Sequence, residues 1–168
     1  MLTLLVGGAR SGKSALAERM AEATGAPVAY LATALVDPAD RDFAWRVAAH
    51  RSRRPSGWTT IDAGAGLVVA LGSVPDTHTV LVDSLGTWVA AHHDFDLDVA
   101  PLVATLAARS GATVVVSEEV GLGVHPETHL GRRFRDVLGS VNQAVAAVAD
   151  QALLVVAGRV LALDRWDG

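Results

Sequence analysis

Gly7-Gly8-Ala9-Arg10-Ser11-Gly12-Lys13-Ser14 fits the spacing G-x-x-x-x-G-K-[ST], and these residue types suit one task, the binding of a polyphosphate. Glycines let successive backbone N–H groups turn inward on an anion, and a helix beginning at the end of the loop adds the partial positive charge of its N-terminus. Lys13 would reach the β- and γ-phosphates, while the Ser14 hydroxyl would bind Mg2+. Lys13 is also the only lysine of the chain, against thirteen arginines. Such a site needs a carboxylate on the metal side. Thr79-Val80-Leu81-Val82-Asp83 is an apolar strand ending in Asp83, the Walker-B arrangement; capping of a following helix is the plainer role for the same residue.

A second group of reactive types lies in Phe43-Ala44-Trp45-Arg46-Val47-Ala48-Ala49-His50-Arg51-Ser52-Arg53-Arg54-Pro55. Phe43, Val47, His50 and Arg54 follow helical spacing on one stripe, and Arg53 lies one turn from His50. Guanidinium forks suit phosphate oxygens. Neighbouring cations also disfavour protonation of an imidazole, leaving a neutral nitrogen able to attack phosphorus. From spacing alone the favoured reading is a basic helix C-terminus answering the helix dipole, with His50 half-buried.

These groups are useful only where the fold brings them together. Apolar runs predict strands over Thr3–Val6, Val28–Thr33, Trp58–Asp62, Thr79–Val82, Thr113–Ser117, Leu153–Val156 and Val160–Leu163. Helical patterns fall between them: Ser14–Thr24, a helix opened by Asp37-Pro38 and running to about Arg54, a weak one over Leu67–Leu71, Leu97–Ser110 despite Pro101, and Glu127–Ala149. Continuous apolar strands alternating with helices predict an α/β domain, a mainly parallel sheet covered on both faces. Gly158-Arg159 between the last two strands predicts a hairpin and an antiparallel edge. In such sheets ligands gather at the carboxyl ends of the strands, and each motif above follows a strand.

A length of 168 residues without linker, repeat or low-complexity tract reads as one domain, residues 1–168. Hydrophobic residues make up 51% and charged ones 19%, which excludes disorder. A net charge of −4 and a sequence pI near 5.8 argue against a nucleic-acid binder. The absence of cysteine excludes disulfides, thiolate zinc and a cysteine nucleophile. Mean hydropathy is +0.34, yet no run approaches the ~20 apolar residues of a membrane span. MLTLLVGGARSGK is apolar first and basic second, the reverse of a secretory signal, so a cytoplasmic protein is expected.

The segments GGARSGKS, YLATA, AAHRSRRP with WTTID behind it, VLVDSLGTW and VVVSEEVGLGVHPETHLGRRFRDVLGSVNQ together resemble one family, across nearly the whole chain. It is the bifunctional adenosylcobinamide kinase/adenosylcobinamide-phosphate guanylyltransferase family of cobalamin biosynthesis. The resemblance implies a P-loop NTPase fold and a nucleotide site made of Gly7 through Ser14 with Ala32, Thr33 and Ala34. It implies that His50 becomes covalently guanylylated and that Arg51, Ser52, Arg53 and Arg54 contact the nucleotide. Asp62 matches an acidic GTP-contacting position, and Asp83 the Walker-B carboxylate. Glu118 stands where that family usually carries Asn, and His125 where it carries an aliphatic residue.

Implied with it are ATP and GTP as substrates, Mg2+, adenosylcobinamide as corrinoid partner and a trimeric homo-oligomer. A plain P-loop small-molecule kinase, with His50 structural, and a non-enzymatic nucleotide-dependent module remain the competing readings. Other conspicuous residues carry less. His92-His93 with Asp94 and Asp96 read as a solvated loop, because adjacent side chains diverge. Arg132, Arg133 and Arg135 read as a solvated or intersubunit face, and Trp45, Trp58, Trp88 and Trp166 as core or interface packing. Either Glu118 or Glu119, at a strand's carboxyl end, could touch substrate or metal.

Overall fold

The structure, a computed structural model, describes residues 1–35, 45 and 54–165. The strands are β1 (Leu2–Gly7), β2 (Val28–Ala32), β3 (Thr59–Asp62), β4 (Thr79–Asp83), β5 (Thr113–Glu118), β6 (Gln151–Val156) and β7 (Arg159–Ala162). They form one sheet in the order β3-β2-β4-β5-β1-β6-β7, parallel except for the β6–β7 edge pair. The described helices are α1 (Lys13–Ala23), α2 (Leu67–Ser73), α3 (Leu85–Ala90), α4 (Ala100–Ala108) and α5 (His129–Val148).

Continuous apolar strands are what a doubly covered sheet demands, because alternate side chains enter different cores. Leu4 and Val6 of β1, Val80 and Val82 of β4 and Val115 of β5 pack with Leu67, Leu71, Trp88, Leu102, Leu106, Leu138, Val141 and Val145 of α2 to α5. Leu5, Leu81, Val114 and Val116, the residues between, meet Ala17 and Ala21 of α1 on the opposite face. Small alanines let α1 sit close to the strands that flank the loop from which it springs. Among the tryptophans, Trp88 is core, Trp58 is half-buried beside Tyr30 with ring centroids 6.4 Å apart, and Trp45 is exposed. Trp166 lies outside the described residues.

Most element boundaries shift by one or two residues from the sequence expectation, and three differences have a clear physical cause. Helix α4 begins at Ala100, not Leu97, so Pro101 sits in the first turn, where its missing N–H costs no hydrogen bond. The segment after Asp83 is helical: Ser84 caps α3 by accepting from Thr87 N, and Thr87 answers the Ser84 N–H, a reciprocal cap. Six residues are too few to display a period. In the hairpin Val156 pairs Arg159, and the turn is Ala157-Gly158 with φ of 50° and 72°, so Arg159 belongs to the strand. The helix expected from Asp37 to about Arg54 falls almost entirely outside the described residues.

Parallel pairing places the carboxyl ends side by side. Gly7 pairs Glu118, Val116 pairs Asp83, and Ala32 pairs both Asp83 and Asp62. Five strands distant in sequence therefore deliver the loop after β1, Ala32, Asp62, Asp83 and Glu118 to one edge.

Candidate active site

The loop after β1 is a cradle closed on three sides. Gly12 takes φ 98°, a left-handed conformation open to glycine at low cost, and hands the chain directly to Lys13 at the start of α1. Among the described residues no side chain caps that helix, so its first N–H groups are left to face the loop. Within the loop the Ser11 N–H bonds Gly8 O at 3.3 Å. From outside, the Gly158 N–H of the β6–β7 turn donates to Ser11 O at 2.8 Å, fixing the far rim. Gly8, Ala9 and Arg10 are exposed along the open side, and the buried Ser11 hydroxyl has no partner among the described residues.

Lys13 lies across the cradle, only 7% exposed. Its Nζ donates to Gly8 O at 3.2 Å and stands 3.8 Å from Glu118 Oε1. A buried ammonium held by one carbonyl and one carboxylate is placed to meet a further anion. Ser14 follows, its Oγ 3.5 Å from Asp83 Oδ1. A hydroxyl and a carboxylate facing each other are the hard oxygen donors that Mg2+ accepts beside a polyphosphate, so these residues fit that ion.

The other oxygen of Asp83 is set by a residue the sequence reading did not single out. Tyr30 Oη donates to Asp83 Oδ2 at 2.6 Å. Burial, with Asp83 beside it, pushes the Tyr30 hydroxyl far above its ordinary pKa, so it stays a donor. Over the Tyr30 ring lies the Arg54 guanidinium, 3.5 Å from the centroid, with Nη1 donating to Thr60 Oγ1 at 3.3 Å. Arg54, Tyr30, Asp83 and Ser14 thus form one connected line. Arg54 is the sole member of the basic group among the described residues; His50, Arg51, Ser52 and Arg53 lie outside them.

Thr33 is fully buried, and its hydroxyl is engaged in the turn after β4, donating to Ser84 O at 2.6 Å and accepting from Ser84 N at 2.9 Å. Ala32 and Ala34 on either side are partly exposed at the strand end, and Asp62 is exposed at the end of β3. The two glutamates at the end of β5 separate cleanly. Glu119 accepts from its own loop at Gly121 N, 2.6 Å, whereas Glu118 turns into the cradle.

The other polar residues marked in the sequence bond neighbouring segments. His92 Nδ1 lies 2.8 Å from Trp88 O, with its ring edge-on to that indole, and His93 pairs Asp94 at 3.3 Å. Among the described residues no three His, Cys, Asp or Glu converge as a metal cluster. Arg132 binds the Pro126 and Glu127 carbonyls, and Arg135 holds Asp136 and His125. The described site can therefore hold a triphosphate by its β- and γ-phosphates and a divalent ion beside it.

Comparison with known proteins extends this geometry. Residues 3–163 match the family model described as cobinamide kinase / cobinamide phosphate guanyltransferase. The bifunctional adenosylcobalamin biosynthesis protein CobP of Pseudomonas aeruginosa is 38% identical over 165 residues, covering 94% of each chain. The bifunctional adenosylcobalamin biosynthesis protein CobU of Escherichia coli K12 is 34% identical over 178 residues, covering 94% of this chain and 97% of its own. Among solved structures, the flagellar accessory protein FlaH of Methanocaldococcus jannaschii aligns with a TM-score of 0.52 at 16% identity, over 95% of this chain and 74% of that one. The type III secretion ATPase EscN of enteropathogenic E. coli gives 0.57 at 14% identity, over 93% of this chain and 43% of that one. The last two likenesses are of fold alone, the P-loop NTPase sheet.

Proposed function

The chain belongs to the cobinamide kinase / cobinamide phosphate guanyltransferase family, and from that premise we propose how its residues divide two reactions. It phosphorylates adenosylcobinamide with a nucleoside triphosphate, then transfers GMP from GTP to the new phosphate, giving adenosylcobinamide-GDP. The observation that carries the division is the single continuous site, with the cradle and Lys13 at one end and Arg54, at the edge of the His50 segment, at the other.

In the kinase step the cradle N–H groups and Lys13 hold the β- and γ-phosphates while the corrinoid hydroxyl attacks the γ-phosphorus. Ser14 and Asp83 would hold Mg2+, which supplies neutralisation of the charge on the triphosphate oxygens. In the second reaction a neutral His50 nitrogen attacks the α-phosphorus of GTP, and the bond to pyrophosphate breaks. GMP then rests on the imidazole as a phosphoramidate until the corrinoid phosphate takes it, so one difficult transfer becomes two easier ones. Arg51, Ser52, Arg53, Arg54 and Asp62 are assigned to the guanine nucleotide, with Ala32, Thr33 and Ala34 as the wall of the nucleotide site.

We place the enzyme in the cytoplasm as a homo-oligomer, on the resemblance of the family. No described helix is long and apolar enough to cross a membrane. Val156, Val160, Leu161 and Leu163 stand exposed along the edge hairpin, which supports association at that edge.

Supplying adenosylcobinamide with γ-labelled ATP, and separately with α-labelled GTP, tests the reading directly. The corrinoid product should gain label in the first arm, and label as GMP in the second once phosphorylated. γ-Transfer without α-transfer would leave a plain kinase; bound nucleotide with neither would leave a nucleotide-dependent module.

Two substitutions probe the metal side. Asp83→Asn should depress both transfers together by roughly a hundredfold or more, since each loses several kcal/mol of charge stabilisation. Loss of one activity alone, in the two-label assay, would make Asp83 a specific group and not a shared anchor. Tyr30→Phe keeps the ring under Arg54 and removes only the hydrogen bond to Asp83. Outer-sphere partners of this kind contribute about 10–100-fold to metal affinity, so the Mg2+ concentration for half-maximal turnover should rise about tenfold. An unchanged Mg2+ titration would contradict the positioning role.

A further inference from the structure

Glu118 is a charged group turned into the cradle that neither reaction above employs. It ends β5, the strand lying between the cradle strand β1 and the Asp83 strand β4. Its two oxygens have different surroundings. Oε2 accepts from Ser84 Oγ at 3.0 Å and from Gly86 N at 3.1 Å, so one side of the carboxylate is locked to the first turn of α3. A methyl group added at Gly86 would collide with Oε2 itself, so glycine there is what lets the carboxylate lie against the backbone. Oε1 is turned the other way, 3.8 Å from Lys13 Nζ.

Lys13 is the group that meets the γ-phosphate, so an oxygen beside its ammonium stands beside the phosphorus under attack. A base must be held in place and lie within reach of the proton it takes; the two bonds to Oε2 hold this carboxylate, and Oε1 beside Lys13 lies on the side where the γ-phosphate would sit. Burial also raises the Glu118 pKa above the ordinary carboxylate value, with Asp83 adding to the rise, while Lys13 and the Ser84 hydrogen bond act against it. That makes the carboxylate a better proton acceptor than a surface glutamate.

We propose that Glu118 is the catalytic base of the kinase step, taking the proton of the corrinoid hydroxyl on Oε1. As that proton moves, the hydroxyl oxygen forms its bond to the γ-phosphorus. The bond from phosphorus to the β,γ-bridging oxygen breaks, and its electron pair leaves on the nucleoside diphosphate. The proton passes from Glu118 to solvent when the products depart. No further reactant is required. Ser84 and Gly86 are positioning residues, since they act on the reaction only through the carboxylate they hold.

The proposal rests on the kinase half of the reading above, and the wild-type enzyme separates the two. If wild-type protein phosphorylates adenosylcobinamide from neither ATP nor GTP, the kinase reading fails and this assignment with it. With that activity in hand, Glu118→Gln is the first variant, because the amide oxygen can still accept from Ser84 and Gly86. Its kcat should fall about a hundredfold or more, the usual contribution of a positioned base. The dissociation constant for ATP, measured on the same protein, should stay level or tighten, because a negative charge next to the phosphates has gone. A kcat within about threefold of wild type overturns the assignment. So does a loss of ATP binding that accounts for the loss of turnover, which would mean that Glu118 only holds Lys13 in place.

Gly86→Ala gives an independent reading, since it displaces the carboxylate without changing its charge. It should lower kcat with little change in ATP affinity, and the double variant with Glu118→Gln should be no slower than Glu118→Gln alone. Full additivity of the two losses overturns the proposal.

Discussion

Lys13→Ala is expected to weaken triphosphate binding and to reduce γ-phosphoryl transfer by about a thousandfold, the scale on which a preorganised donor to transition-state charge acts. The size follows from the chain as much as from the site. Lys13 is the only lysine, it is 7% exposed, and its neighbours at the cradle are a carbonyl and a carboxylate, neither of which can take over its role. Its removal leaves Glu118 with the Ser84 and Gly86 donors, so the carboxylate is not abandoned and the fold should persist. Circular dichroism and the thermal midpoint check the fold, and steady-state kinetics with ATP and adenosylcobinamide check the turnover. Near-wild-type turnover in this variant would remove Lys13 from the mechanism.

His50→Ala should take GMP transfer to background while leaving γ-transfer running, because Lys13, Ser14 and Asp83 are untouched. On the proposed mechanism the imidazole is the group that carries the nucleotide, so its removal leaves that transfer without a nucleophile. The neighbouring arginines act differently. Arg53→Ala or Arg54→Ala should slow guanylylation by a smaller factor, since a guanidinium stabilises phosphate charge without forming the bond. Arg54 adds a distinct expectation. Its guanidinium stacks on Tyr30, which in turn fixes Asp83, so Arg54→Ala should also raise the Mg2+ requirement of the kinase step modestly. Following both transfers in each variant, with the two labels, separates these outcomes. Loss of kinase and GMP transfer together in His50→Ala would argue that His50 supports the structure and not the second reaction.

The cradle was legible because it is contiguous: strand, glycine loop, Lys13 and helix follow one another without a gap in the sequence. Asp83 was legible for a related reason, an apolar strand that ends in a carboxylate. What the sequence withheld was adjacency across the sheet. Tyr30 and Asp83 are 53 positions apart and meet only because β2 lies beside β4. Glu118 faces Lys13 only because β5 returns to lie against β1, an order no local pattern encodes. The pair Glu118-Glu119 could be marked as a candidate, but which of them enters the site depends on strand alternation and on the space left at Gly86. Thr33 shows the converse. The resemblance places it at the nucleotide, and the structure adds that its hydroxyl is engaged in tying β2 to the turn that launches α3. Helix α3 escaped notice because six residues with an apolar face leave no period to read.

Covalent guanylylation of His50 is the claim on which the division of labour depends, and one measurement addresses it most directly. Wild-type protein is incubated with Mg2+ and α-labelled GTP, denatured, digested and mapped by mass spectrometry. A phosphoramidate is lost in mild acid and survives alkali, unlike a phosphoester of serine or threonine. One GMP adduct with that stability is expected, on the peptide that contains His50. An adduct on another residue, or no acid-labile adduct at all, would contradict it and leave the kinase site standing alone.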